Sequence, residues 1–290
     1  MASINTIGVV GAGQMGSGIA LVAARSGFEV VMHDLNVERL QWGMKSVSRF
    51  IDKGIAKGSM KAADKSAIVQ RIQTSTDFHS LQRADFVIEA ATENETVKFE
   101  IFRELDRICP QSTLFSSNTS SIPIGRIAAQ THRQDRVIGM HFMNPPPAMK
   151  LVEVIRSLVT SEATFRTTCA LAESFGNVTA EARDFPGFIS NRILMTMINE
   201  AIFTLYQGIG TRDAIDAVMQ SGMNHPMGPL ALADLIGLDT CLAVMETLYD
   251  GYKDPHYSPC PLLRQYVDAG WLGRKTGRGF YTYTVPHPES

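Results

Sequence analysis

The hexapeptide Gly11-Ala12-Gly13-Gln14-Met15-Gly16 constrains the fold of this chain more than any other feature. It follows the β-rich run Thr6–Val10 and opens a helical pattern over Gln14–Ser26. Glycines at these places permit a sharp turn and close approach of a pyrophosphate. The helix N-terminus adds N–H donors and the positive end of the dipole. Three spaced glycines alone are common. Here a second β-rich run, Glu29–His33, follows and ends at Asp34, near the ~20-residue spacing at which a carboxylate meets ribose hydroxyls. Strand, glycines, helix, strand and acid occur in order, and together they predict a dinucleotide site. A carboxylate at Asp34 repels a 2′-phosphate. Leu35, Asn36 and Val37 offer no arginine to receive one, and Arg39 belongs with the next helix. NAD is therefore expected rather than NADP.

The same alternation continues. Phe86–Ala90, Leu114–Ser117, Val137–Phe142, Val152–Ile155 and Val178–Ala182 read as strands, and Val37–Lys53, Val97–Ile108 and Ala163–Phe175 as helices. Such alternation predicts a parallel sheet with helices on its faces. After Arg183 the pattern changes. Asp184-Phe185-Pro186-Gly187 is a turn signal, followed by the apolar run Phe188–Tyr206 and helical patterns at Arg212–Gln220, Leu230–Tyr249 and Leu262–Ala269. The expected fold class is α/β, a doubly wound sheet over 1–185 followed by an all-helical domain over 186–290. A length of 290 residues suits one large core and one smaller one.

Bulk properties narrow the function. A net charge of −2 gives no reason to expect nucleic acid or a membrane surface as partner. The four cysteines are scattered, without metal-ligand spacing, so neither a disulfide framework nor a metal site is expected. The run Ile7–Ala24 is apolar but lacks a basic region before it and is broken by glycines, unlike a signal or a spanning helix. A cytoplasmic protein is expected.

Two segments place polar groups at the carboxyl ends of strands, where open α/β sheets bind ligands. These are Ser116–Ser121 and His141-Phe142-Met143-Asn144-Pro145-Pro146-Pro147. Alone, the Ser/Thr run reads as a capping turn and His141 as a structural histidine. Glu153 opens another reading. The prolines break the chain, and Met149–Glu153 reads as a strand that could return Glu153 beside the imidazole. A carboxylate on one ring nitrogen would stabilise the imidazolium and leave the other nitrogen for proton transfer, as alcohol oxidation with a nicotinamide requires. The spacing alone leaves both readings open.

The motifs taken together carry a resemblance. The glycine turn with Ser17-Gly18, Ser117–Ser121, His141–Glu153, Asp184–Arg192, Gly228–Asp234 and Gly273–Tyr281 span the chain in order. Jointly they resemble the 3-hydroxyacyl-CoA dehydrogenase family, in the stand-alone bacterial type that acts on short chains in fatty acid metabolism. The resemblance implies a Rossmann-like N-terminal domain and reversible hydride transfer between NAD and the C3 hydroxyl of an (S)-3-hydroxyacyl-CoA. It implies His141 as general base, Glu153 as its orienting partner, and Ser120 and Asn191 as groups that bind the substrate oxygen in an interdomain cleft. The implied cofactor contacts are Gly11, Gly13, Gln14, Met15, Gly16, Asp34, Glu93, Lys98, Ser120, Asn144 and Lys275. Met143 stands where the family commonly has an aromatic residue.

Lys45, Arg49, Lys53, Lys57 and Lys61 recur every four residues, a slowly turning basic stripe if the segment is helical. Solvation explains most such stripes. Coenzyme A, however, carries three phosphates, and the resemblance implies Ser46 and Lys53, with Ser120, as contacts to the acyl-CoA. It also implies a homodimer through the helical domain. Two other readings have distinct signatures. A related dehydrogenase of another β-hydroxy acid would use a lysine in place of the His141–Glu153 pair, and a non-enzymatic protein would show no turnover.

Overall fold

The computed structural model describes residues 4–284, which part into two compact units between Asp184 and Phe185. The first is built on one eight-stranded sheet. Along the chain run β1 (Thr6–Val10), α1 (Gln14–Arg25), β2 (Glu29–His33), α2 (Val37–Ala56), α3 (Asp64–Gln70), β3 (Ile72–Ser75), β4 (Phe86–Glu89) and α4 (Glu95–Ile108). After these come β5 (Leu114–Ser117), α5 (Ile124–Ala128), β6 (Val137–Phe142), β7 (Leu151–Arg156), α6 (Glu162–Ser174) and β8 (Val178–Arg183). The sheet order is β3-β2-β1-β4-β5-β6-β7-β8, parallel except where β7 runs against β6.

This order creates the place for a ligand. From β1 the chain moves outward to β2 and β3, then returns to pair β4 on the other side of β1. The connections diverge above the carboxyl ends of β1 and β4, the switch point at which such sheets bind ligands. Central strands are apolar because helices cover both faces: all of Ile7, Val9, Phe86 and Ile88 are buried. Every residue from Gly16 to Ala24 in α1 is buried as well. Small side chains there let the helix lie close to the sheet, and at Gly18 a Cβ would come within 2.9 Å of the Pro146 ring.

Helix starts follow local chemistry. Asn36, Asn94 and Ser161 accept N–H bonds from residues three further on, opening α2, α4 and α6. The cap at Asn36 puts Arg39 inside α2, as expected. Strand β3 escapes the pattern reading because Ile72-Gln73-Thr74-Ser75 is a short edge strand with a single buried residue. The basic stripe ends early: α2 stops at Ala56, so Lys57 caps it and Lys61 lies beyond.

The second unit is helical, with α7 (Ser190–Tyr206), α8 (Arg212–Ala217), α9 (Pro229–Ile236), α10 (Leu238–Tyr252) and α11 (Pro261–Asp268). The periodicity of Leu230–Tyr249 suggests one helix, but the structure breaks it at Gly237, whose φ of +105° is a conformation other residues rarely adopt. Its core gathers Met195, Ile198, Ile202, Leu230, Leu238 and Leu248. No helix among the described residues is long and apolar enough to cross a membrane.

Candidate active site

At the switch point the three glycines answer different demands. Gly11 has φ +103°, and a Cβ there would lie 2.7 Å from the Ala90 carbonyl oxygen and the Ala91 Cα. At Gly16 it would lie 1.9 Å from the Gly11 carbonyl oxygen. At Gly13, the N-cap of α1, it would meet nothing within 4 Å, and no side chain caps the helix. Packing therefore requires the first and third glycines, while the second keeps open space beside the helix N–H groups. Such a cradle fits a pyrophosphate.

Asp34 is only 6% exposed. Its Oδ2 accepts the Ala12 N–H at 2.7 Å and its Oδ1 the Leu35 N–H at 2.8 Å. A carboxylate offers about four acceptor positions, so capacity for ribose hydroxyls remains. Within the protein, Asp34 ties the glycine turn to the end of β2. Gln14 Nε2 donates to Asn144 Oδ1 at 3.0 Å, joining α1 to the segment after β6.

The antiparallel pairing of β6 and β7 sets His141 directly opposite Glu153. Directly opposed residues project to the same face of a sheet. The His141 Nδ1 lies 2.7 Å from Glu153 Oε2, and the two side chains are 12% and 2% exposed. An ionised carboxylate only accepts, so Nδ1 carries a proton and proton exchange falls to Nε2. The Asn118 side chain braces this strand end by accepting the Phe142 N–H at 2.9 Å.

Glu93 gathers the Ser/Thr loop. Its Oε1 accepts the Ser120 N–H at 2.6 Å and the Ser120 hydroxyl at 2.9 Å, while Oε2 accepts the Thr119 hydroxyl at 2.8 Å. Lys98 is 1% exposed, forms an ion pair with Glu89 and lies 3.9 Å from Glu93 Oε2. Sequence reasoning missed Glu89, although an acid ending the apolar run Phe86-Val87-Ile88 was a signal. Beyond the loop, Asp184 accepts the Ile124 and Gly125 N–H groups at 2.8 and 2.7 Å. Burial raises its pKa above the ordinary value despite those bonds.

On α2, Lys45, Ser48, Arg49, Asp52, Lys53 and Ala56 line an open depression of about 470 Å³. Lys53 is exposed there, whereas Ser46, two turns earlier on the same side, is 4% exposed. In the second unit Asn191 is half-buried in the first turn of α7. Lys275 Nζ donates to both Asp239 oxygens at 2.6 Å. Burial opposes ionisation of Asp239, but Lys275 and backbone N–H groups outweigh it and hold the carboxyl below its ordinary value.

The arrangement, a nucleotide cradle with a carboxylate-oriented imidazole on the same sheet, has close counterparts. Residues 6–185 match the family description "3-hydroxyacyl-CoA dehydrogenase, NAD binding domain", and 187–283 match its "C-terminal domain". A Bacillus subtilis protein named "Probable 3-hydroxybutyryl-CoA dehydrogenase" is 56% identical over 97% of this chain and 98% of its own length. A 3-hydroxybutyryl-CoA dehydrogenase of Bradyrhizobium diazoefficiens is 50% identical over 99% of this chain and 98% of its own. The crystal structure of an (S)-3-hydroxybutyryl-CoA dehydrogenase from Ralstonia eutropha superposes with a TM-score of 0.95. It is 49% identical and covers 97% of this chain and all (100%) of that one. With both domain descriptions matched in order across nearly its whole length, the chain belongs to the 3-hydroxyacyl-CoA dehydrogenase family.

Proposed function

We propose that the chain transfers a hydride between NAD and C3 of an (S)-3-hydroxyacyl-CoA of short acyl length, interconverting 3-hydroxybutyryl-CoA and acetoacetyl-CoA. The observation that carries this reading is the 2.7 Å His141–Glu153 pair opposed across β6 and β7. Bound NAD supplies the hydride acceptor. His141 Nε2 takes the hydroxyl proton, and Glu153 stabilises the imidazolium that results. Ser120 and Asn191 bind the substrate oxygen. For Ser120 this means turning its hydroxyl proton from Glu93 to the substrate. Gly11, Gly13, Gln14, Met15, Gly16, Asp34, Glu93, Lys98, Asn144 and Lys275 serve the cofactor.

Lys53 holds the coenzyme A phosphates on the α2 face. Ser46, buried two turns earlier on the same side of α2, is its partner in this contact. Under this reading the first unit is the NAD-binding domain and the second completes substrate binding and forms a homodimer. Exposed Ile193, Ile209 and Met223 offer the dimer apolar surface. The enzyme works in the cytoplasm. The test is NADH oxidation with acetoacetyl-CoA and with longer 3-ketoacyl-CoA thioesters. Rates highest for acetoacetyl-CoA support the assignment, and no turnover of any thioester overturns it.

A further inference from the structure

Glu89 is a fully buried carboxylate at the end of β4, with 0% exposure. Its Oε1 accepts the Ala91 N–H at 2.9 Å, beneath the backbone against which Gly11 packs. Its Oε2 accepts the Ser117 hydroxyl at 2.8 Å and pairs with the Lys98 ammonium. The Ser117 oxygen in turn accepts from Lys98 Nζ and from the Thr119 N–H, each at 3.2 Å. Every hydrogen-bonding position of that hydroxyl is used.

Burying an ion pair adds little to stability over apolar residues of similar size, so its value here lies in what it orders. Lys98 stands between two carboxylates. Glu89 holds the ammonium tightly, leaving Glu93 to grip the Ser120 N–H and hydroxyl. Without the charge on Glu89, the ammonium's nearest anion becomes Glu93. Lys98 then competes with Ser120 and Thr119 for the same oxygens.

We propose that Glu89 is a positioning residue for the reaction. Through Lys98 and Ser117 it sets the Asn118–Ser120 loop, and so the Ser120 hydroxyl, in register with the glycine turn. This rests on the reading of Ser120 as a substrate-oxygen ligand.

Glu89→Gln is a directed probe. The glutamine carbonyl keeps the Ala91 bond, while its NH₂ faces two donors, Lys98 and Ser117. The measurements are NADH-dependent acetoacetyl-CoA reduction, NADH Kd by fluorescence and thermal midpoint, for Glu89→Gln, Ser120→Ala and the double variant. The expected result is a loss in kcat, measured at saturating NADH, of about tenfold or more for Glu89→Gln, beyond any change in NADH Kd that the shift of Lys98 toward Glu93 brings. In the Ser120→Ala background the further loss should nearly vanish, because both changes act on one group. If Glu89→Gln does not fold, Ser117→Ala breaks the link to Thr119 while keeping the ion pair, and its smaller kcat loss should show the same coupling. Losses that multiply in full, or a kcat loss that only tracks a weakened NADH Kd, overturn the proposal. A wild-type protein inactive on acetoacetyl-CoA overturns the substrate reading and takes this one with it. An active wild type with uncoupled variants overturns the positioning role alone.

Discussion

Glu153→Gln removes one charge from the His141 pair and almost no volume, so its effect isolates what the carboxylate contributes. Glu153 is buried and its oxygen lies 2.7 Å from the imidazole, so solvent screens the interaction little. A hydrogen bond to a charged group contributes about 1.5–3 kcal/mol. If that stabilisation is realised in the transition state, where the imidazole gains its proton, kcat should fall about ten- to 150-fold. The amide can also present its NH₂ to Nδ1 and favour the wrong tautomer, which pushes the loss toward the upper end. Stopped-flow and steady-state NADH oxidation with saturating acetoacetyl-CoA measure it, and NADH fluorescence titration should show unchanged affinity. His141→Ala should lose about 10²–10⁴-fold, and adding Glu153→Gln to it should cost little more, since the carboxylate then has no imidazole to act on. A kcat within about twofold of wild type for Glu153→Gln would refute the reasoning, as would losses that multiply in the double variant.

Asp34→Ala should weaken NADH at least about tenfold and narrow the preference over NADPH; it should also lower the thermal midpoint, because the Ala12 and Leu35 N–H groups lose their acceptor. A wild type that already prefers NADPH contradicts the role of Asp34. Lys53→Ala should raise KM for acetoacetyl-CoA a few-fold, more at low ionic strength, and leave the slow reduction of a mimic lacking the nucleotide unchanged; equal losses on both substrates would make Lys53 merely structural. Burial lowers the pKa of His33 from 6.5, against the opposing influence of Thr76, Asp34 and Asp77, and its Nδ1 has no hydrogen-bond partner among the described residues. A depressed value means that its contribution to stability is present above pH 6.5 and is lost as pH falls through the folded value. Melting curves should therefore drop less steeply between neutral and mildly acid pH for His33→Met than for wild type, and parallel curves would exclude His33 as the source.

Much of this architecture could be read from residues, and the failures have physical causes. Strands β1, β2, β5 and β6 coincide with their apolar runs because burial on both faces writes a continuous signal. Strand β3 has one buried residue and left no such trace. Gly237 divides α9 from α10 without disturbing hydrophobic spacing, so only its φ shows the break. At the site, His141 and Glu153 were legible as candidates because the prolines break the chain and a following strand can return Glu153 beside the imidazole. That this strand runs antiparallel departs from the parallel sheet the alternation predicts. Their exact opposition depends on register, which spacing alone does not fix. Glu89 carried only a weak local signal, an acid ending the apolar run Phe86-Val87-Ile88. Its partners Lys98 and Ser117 come from a helix and another strand, and nothing local marks the convergence.

The proposed cofactor residues also differ in what their protein partners do when they are removed. Lys275 is paired with Asp239, whose side chain is 40% exposed. Deleting that lysine leaves a carboxylate that water can solvate, so the loss should register mainly in binding. Lys98 is paired with Glu89, which has no exposure at all. Deleting Lys98 strands a buried charge, a change that typically costs about 3–5 kcal/mol, a large part of the stability of a domain. Two lysines with the same assigned role should therefore give opposite signatures, weakened binding in one case and unfolding in the other. Activity alone cannot separate these outcomes. The partner's exposure decides which measurement carries the information, so a weak NADH response from a Lys98 variant speaks first to the integrity of the Glu89 network.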